Sequence, residues 1–204
     1  MAFGNELTAG VKTEIQDMQK LLQILDNYAS ISEQTKTALS LIVIKSEFSK
    51  GHILLQQDKV CKNLYLVESG FLRGFNFQDG RDKTLWFASE NDIVTSMYSF
   101  ISQKPSFEII EVMENSILYC IDYERLQNLY KTNPDLNLIG RLLVEKYYIE
   151  LEERVLSLQF KTAEERYRHI IQNKPTLLKK ASLGQISSYL GISQETLSRI
   201  RGRI

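Results

Sequence analysis

The apolar positions of this chain follow one spacing at its two ends and another in its middle. Ile15, Met18, Leu22 and Leu25 recur at helical spacing and predict a helix over residues 12–28. Ser32, a good N-cap residue, predicts a second short helix behind it. From Ile42 the period changes. The segments IVIKSEF, HILLQ, NLYLVES, FLRGFNF, KTLWFA, DIVTSMY, FEIIEVM and SILYCI are rich in branched and aromatic residues. Turn signals such as Ser49-Lys50-Gly51, Ser69-Gly70 and Gln78-Asp79-Gly80 separate them. Many short strands at this spacing predict an antiparallel β-barrel or roll.

Helical spacing then returns. Asp122 can cap YERLQNLYK, and Asn133-Pro134 marks a break with Pro134 in the first turn of a new helix. That helix runs from Asp135 to about Gln159 and is the longest in the chain. It carries one stripe of Val144, Tyr148, Leu151, Val155 and Leu158, and a second of Leu136, Ile139, Leu143, Ile149 and Leu156. A helix with two apolar faces needs two partners. The roll can cover one face, and a second copy of the helix about a two-fold axis can cover the other. Leu143, Val144, Tyr147, Tyr148, Leu151 and Val155 are the candidate dimerisation residues. The fold class is therefore α+β. Residues 1–133 form a β-roll domain with flanking helices, 134–160 a dimerisation helix, and 161–204 a C-terminal helical domain.

The C-terminal domain is legible turn by turn. Thr162 and Glu165 form a capping box for a helix that ends near Asn173. Ser182 caps a helix over Leu183 to Leu190, Gly191 suits the left-handed residue that ends it, and Ser193 caps a last helix from Gln194 to about Arg203. Ile186, Leu190, Ile192, Leu197 and Ile200 are the internal positions, with Ser187 small where the helices cross. This is the pattern of a helix-turn-helix, whose second helix enters a DNA major groove. With Leu197 and Ile200 inward, Gln194, Glu195, Ser198 and Arg199 face out as candidate base readers. Arg suits guanine, Glu suits cytosine and Gln suits adenine. Ser182, Ser193, Thr196, Lys179, Lys180, Arg201 and Arg203 are the candidate phosphate contacts.

Charge strengthens this picture. The formal net charge is +0 over 204 residues. Yet nine Lys or Arg face only three acids from residue 161 onward, so the body before it is acidic. A basic end on an acidic body points to a polyanion as partner. The two cysteines, Cys61 and Cys120, and the absence of a basic-then-apolar N-terminus point to a reducing cytoplasm and no membrane span. No nucleophile elbow, metalloprotease motif or phosphate-cradling glycine loop is present, so an enzyme is not expected. Nor is a metal site.

With these motifs the chain resembles the Crp/Fnr family of bacterial transcription regulators along nearly its whole length. FSKGHILLQQDKVCKNLYLVESGFLRGF resembles the opening strands of the family's roll, a double-stranded jelly-roll-like fold of cyclic-nucleotide-binding-domain type. The helix from Pro134 resembles the dimerisation helix, and SLGQISSYLGISQETLSRI the DNA-reading motif. The resemblance implies a cytoplasmic homodimer that binds a two-fold symmetric operator in double-stranded DNA and contacts RNA polymerase or blocks it. It places Gln194, Glu195 and Arg199 at base-reading positions.

Two departures follow from the same comparison. Members that bind cyclic nucleotides carry a Gly-Glu pair and then an Arg beside a small hydroxyl residue. Here Thr95 and Ser96 stand at the pair, and Ser106 and Phe107 at the Arg and its neighbour. NDIVTSMYSFISQKPSFEIIEV contains no Arg, and Lys104 is its one cation. A buried phosphate without a guanidinium is disfavoured. The expectation is therefore no cofactor, no cyclic nucleotide in the usual mode, and an unconventional ligand or none. Leu85, Phe87, Thr95, Ser96, Met97, Ser106 and Phe107 form the candidate effector pocket, although aromatic residues there read first as core. The second departure is the wing: only NKPTLLKKA, residues 173–181, stands where a β-hairpin is common, so the wing is reduced or absent. Two cysteines are too few for an iron–sulfur cluster, and His52 and His169 are read as surface or packing residues. The competing reading is a ligand-sensing or protein-interaction module of the same fold that no longer binds specific DNA.

Overall fold

The computed structural model describes residues 18–78 and 80–204, so Ile15, the start of the first expected helix and Asp79 lie outside the described residues. Two short helices, α1 (Gln19–Asp26) and α2 (Glu33–Ser40), precede eight strands: β1 (Val43–Phe48), β2 (Ile53–Leu55), β3 (Asn63–Ser69), β4 (Phe71–Gln78), β5 (Arg81–Ser89), β6 (Ile93–Val94), β7 (Ile109–Val112) and β8 (Ser116–Asp122). A one-turn helix, α3 (Met97–Ser102), interrupts them. The strands pair antiparallel in two four-stranded sheets, in the orders β1-β8-β3-β6 and β2-β7-β4-β5. Leu66, Val67, Leu72, Ile110, Val112 and Leu118 are fully buried between them. The expected roll is present, with one correction. DIVTSMY is not a single strand: the backbone turns after Val94 into α3, where the Phe100 amide donates to the Ser96 carbonyl at 2.7 Å.

The remaining helices are α4 (Tyr123–Thr132), α5 (Pro134–Phe160), α6 (Ala163–Asn173), α7 (Pro175–Lys180), α8 (Leu183–Leu190) and α9 (Gln194–Arg201). The capping residues read from the sequence act as caps. Ser32, Asp122, Thr162, Ser182 and Ser193 each accept from the backbone amide three residues on, and Thr162 and Ser182 both close full capping boxes. The stretch after Asn173 is the short helix α7 and forms no β-hairpin.

α5 is tied to the roll at its start and leaves it further on. Leu136 and Ile139 are buried and Leu143 is half-buried against the roll core. Beyond Leu143 both apolar stripes run out into solvent. Ile149 and Leu156, expected on the covered face, are exposed like Val144, Tyr148, Leu151 and Val155. The tie itself is polar. The Asp135 carboxylate accepts from the Ser32 amide at 2.8 Å, the Thr35 hydroxyl at 2.6 Å and the Leu136 amide at 2.9 Å. Burial opposes its ionisation, but these donors outweigh it and hold Asp135 at about 2, below its ordinary 3.8.

Arg73 on β4 is a buried charge. Its guanidinium pairs with Glu111 at 2.9 Å and Asp82 at 2.7 Å, and lies 3.9 Å from the centre of the Phe75 ring. Removing one member of such a network leaves buried charge without compensation. Arg73→Met is expected to cost roughly 3–5 kcal/mol in urea unfolding, and a loss below 1 kcal/mol would show that Glu111 and Asp82 find other partners. For Asp135 the sign is set by its lowered pKa. Its contribution is whole above the ordinary 3.8 and fades as pH falls through about 2. Asp135→Asn is expected to lose roughly 1–2 kcal/mol at neutral pH, with the gap to wild type closing between pH 4 and 2. A gap that does not change with pH counts against the tie.

Candidate nucleic-acid interface

The helix-turn-helix is built by two caps and one glycine. The Ser182 hydroxyl accepts from the Gln185 amide at 3.3 Å and starts α8. Gly191 ends it at φ +68, a left-handed position that a side chain strains. The Ser193 hydroxyl accepts from the Thr196 amide at 3.2 Å and starts α9. Leu190, Leu197 and Ile200 close the core between the helices, together with Ile186, Tyr167, Ile170 and Leu177.

Because those apolar residues face inward, the opposite side of α9 is free. Gln194, Glu195, Ser198 and Arg199 are all exposed, on one continuous face. Arg199 donates to the Thr196 hydroxyl at 3.2 Å, which orders its guanidinium along the helix. The Ser193 hydroxyl, helped by Glu195's own amide and the Arg199 charge, holds the Glu195 carboxyl below the usual carboxylate range. The side-chain amide of Gln194 lies over Gly184, so it bridges the starts of α8 and α9. Arg201 and Arg203 are exposed, with no ion-pair partner among the described residues, and Lys179 is exposed at the end of α7. Lys180 departs from the expected set: its ammonium pairs with Glu114 of the roll and sits 5.6 Å from the Phe71 ring centre, so it faces the protein.

That contact belongs to an interface the sequence did not reveal. The outer face of sheet β2-β7-β4-β5 is covered by the helix-turn-helix domain. Phe71 is 2% exposed and shares one buried cluster with Tyr167, Ile170, Leu177, Ile186 and Leu190. Phe87 stacks on Phe71 at 5.5 Å and meets Tyr189 edge-on at 5.4 Å. The Arg154 guanidinium of α5 lies 4.0 Å from the Tyr189 ring centre and donates to its carbonyl. Ser188 supplies the polar link. Its hydroxyl accepts from the Thr84 amide at 2.9 Å and donates to the Asp82 carbonyl at 3.2 Å, which satisfies the open edge of β5.

This docking corrects part of the expected effector pocket. A bulge in the β4–β5 pairing leaves Leu85 without a partner and exposed, and Phe87, opposite in side to Trp86, faces outward to Tyr189. Phe107 is exposed, packed on Tyr98 at 4.7 Å, and Met97 is half-buried. Ser96 and Ser106 do come together inside the roll, their hydroxyls 3.0 Å apart, whereas the buried Thr95 hydroxyl donates to the Asn63 carbonyl at 3.0 Å. The residues overlooked there are Trp86 and Glu108: Trp86 Nε1 donates to Glu108 Oε2 at 2.6 Å. Burial pushes the Glu108 carboxyl up, partly offset by hydrogen bonds from Ser96 and Trp86.

Comparison with known proteins agrees with this architecture. A family model described as the cyclic nucleotide-binding domain matches residues 45–133. The fumarate and nitrate reduction regulatory protein of Vibrio cholerae is 27% identical over 175 residues, covering 80% of this chain and 69% of its own. The protein of that name from Escherichia coli is 26% identical over 176 residues, covering 80% and 70%. Among solved structures, a putative Crp/Fnr transcriptional regulator from Eubacterium rectale superposes with TM-score 0.67 at 21% identity, over 83% of this chain and 82% of that one. The c-di-GMP responsive global regulator CLP of Xanthomonas campestris gives 0.65 at 21%, over 84% and 91%. The chain is thus similar to transcription regulators of the Crp/Fnr family and shares their fold. No helix among the described residues is long and apolar enough to cross a membrane.

The nucleotide that the matched domain is named for does not fit the residues present. A cyclic phosphate needs a cation, but the groups at this seat are the Ser96 and Ser106 hydroxyls, already bonded to each other, and a carboxyl. Lys104 is exposed on the surface. A phosphate placed here would meet Glu108.

The turn itself is testable. Gly191→Ala forces a side chain into the left-handed region and is expected to cost about 1 kcal/mol in urea unfolding; an unchanged midpoint would mean that the turn relaxes freely.

Proposed function

We propose that this regulator is a homodimer that reads a two-fold symmetric operator in double-stranded DNA with α9, and that it does so without a cyclic nucleotide in the usual seat. The observation that carries the reading is the outer face of α9: Gln194, Glu195, Ser198 and Arg199 exposed together, flanked by unpaired Arg201 and Arg203. Ser182, Ser193 and Thr196 at the two helix starts, with Lys179, supply the backbone contacts. With no β-hairpin after Asn173, wing contacts to phosphate are not part of this mode.

The homodimer rests on α5. Val144, Tyr147, Tyr148, Leu151 and Val155 are each more than two-fifths exposed in the single chain. An apolar stripe of that length stays in water only at a large cost, and the same stripe from a second copy covers it. The resulting two-fold axis is the one a palindromic site requires. Regulation then proceeds in the cytoplasm by contact with RNA polymerase or by blocking it. The relatives are transcription regulators, and no catalytic role is assigned.

Selection from random duplex DNA by the ligand-free protein at about 0.15 M salt tests this, since non-specific phosphate binding is weak there. A two-fold symmetric site with half-sites about one helical turn apart is the expected product. Failure to enrich any site favours a protein-interaction module. On the selected site, Arg199→Ala is expected to lose about 1–3 kcal/mol and to relax one base position. Arg201→Gln with Arg203→Gln is expected to weaken all sequences alike and to flatten the salt dependence by about two phosphate contacts. Equal losses at every base for Arg199→Ala would remove it from base reading.

A further inference from the structure

One strand joins the interior of the roll to the DNA-reading domain. Along β5, Trp86 packs against the roll core, while Thr84 and Phe87 hold the helix-turn-helix on the other side. Trp86 and Phe87 are consecutive and so face opposite sides of the strand, and a bulge at Leu85 separates them from Thr84. Gly74 is part of the arrangement: a Cβ there would lie 2.2 Å from the Trp86 ring, so the indole lies flat across β4. The same edge of the indole is held by Glu108, whose carboxylate lies 2.6 Å from Nε1. Glu108 is itself fixed. Its amide donates to the Ser106 hydroxyl at 3.0 Å, and its carbonyl accepts from that hydroxyl at 2.9 Å. It forms no ion pair among the described residues.

We propose that Glu108 and Trp86 are a built-in occupant of the effector seat: the carboxyl excludes an anionic ligand, and its bond to the indole braces β5 so that the reading domain stays docked on the roll with nothing bound. The pair thus does structurally what a bound anion would otherwise do, by holding β5 from inside. Ser188 and Tyr189 then read the position of β5 from outside, through the Thr84 amide and the Phe87 ring. This rests on the reading above only in that no cyclic nucleotide occupies the roll; it does not depend on DNA binding.

Two measurements on the full-length protein test it without DNA. The first is calorimetry with 3′,5′-cyclic AMP, cyclic GMP and c-di-GMP as probes. No heat of binding is expected from wild type, and saturable binding of any of them overturns the exclusion. The second is amide hydrogen exchange in three segments: β5, α8 and β8. Trp86→Phe keeps the ring and loses the donor. It is expected to speed exchange in β5 and α8 about tenfold, the weight of one charge-assisted hydrogen bond, while β8 stays as protected as in wild type. Glu108→Ala is expected to do the same, and Glu108→Gln, which keeps an acceptor for the indole, to do much less. Ser188→Ala serves as the control for undocking from the outside. If Ser188→Ala exposes α8 but Trp86→Phe and Glu108→Ala leave it at wild-type protection, the brace is wrong. If Glu108→Ala loosens β8 as well, the whole roll has opened, and Trp86→Phe alone decides. A failed DNA selection would leave all of these readouts unchanged.

Discussion

A sheet with apolar residues on both faces has to be covered twice, and much of this molecule follows from that requirement on sheet β2-β7-β4-β5. Along β4, Leu72 points into the roll, while Phe71 and Arg73, on either side of it, are also buried. The cover over Phe71 is the helix-turn-helix domain. Burial of Phe71 with Phe87 and Tyr189 supplies the apolar part of that contact. Arg73 is tolerated beneath it because Glu111 and Asp82 neutralise it and Phe75 packs on its flat face. Asp82 reaches further still, since its carbonyl accepts from Ser188. One buried charge network therefore underlies both the hairpin and the docking of the reading domain.

The docking uses the parts of the helix-turn-helix that the proposed DNA reading does not need. Ser188 and Tyr189 lie at the end of α8, and Lys180 at the end of α7. Gln194, Glu195, Ser198 and Arg199 lie exposed on α9. The pose of the reading helix is thus set by contacts on one side of the domain, and its chemistry is presented on the other. Lys180 shows the division. Its charge contributes to the basic end of the sequence, yet Glu114 and the Phe71 ring claim it for the protein.

Local signals in the sequence were reliable where a single residue decides a single backbone position. Ser32, Asp122, Thr162, Ser182 and Ser193 cap their helices because a short side-chain oxygen at that position satisfies an amide that nothing else can. Gly191 takes the left-handed turn for an equally local reason. The roll and the long helix were legible from periodicity, and the exposed face of α9 from Leu197 and Ile200. What stayed hidden depends on register and on distant partners. Phe87, expected in the effector pocket, lies just past the bulge at Leu85 on the outer face, against Tyr189. No spacing rule announces that bulge, nor the helix α3 that breaks DIVTSMY. Trp86 and Glu108 are twenty-two positions apart, and only the pairing of β4 with both β5 and β7 brings them together.

The same pairing explains how a roll with no cation at its centre can remain ordered. An interior built to receive an anion is incomplete without it, since its donors then face one another or nothing. Here Ser96 and Ser106 satisfy each other, Ser106 also closes on the backbone of Glu108, and the carboxyl accepts from the Trp86 indole on β5. Every polar group at the seat has a partner from the chain itself, so the seat is complete as folded. Because the donor is an indole on the strand that carries Thr84 and Phe87, completing the seat also fixes the outer face on which α8 rests. Internal satisfaction of the roll and the orientation of the reading helix are then one constraint, transmitted across the thickness of a single strand.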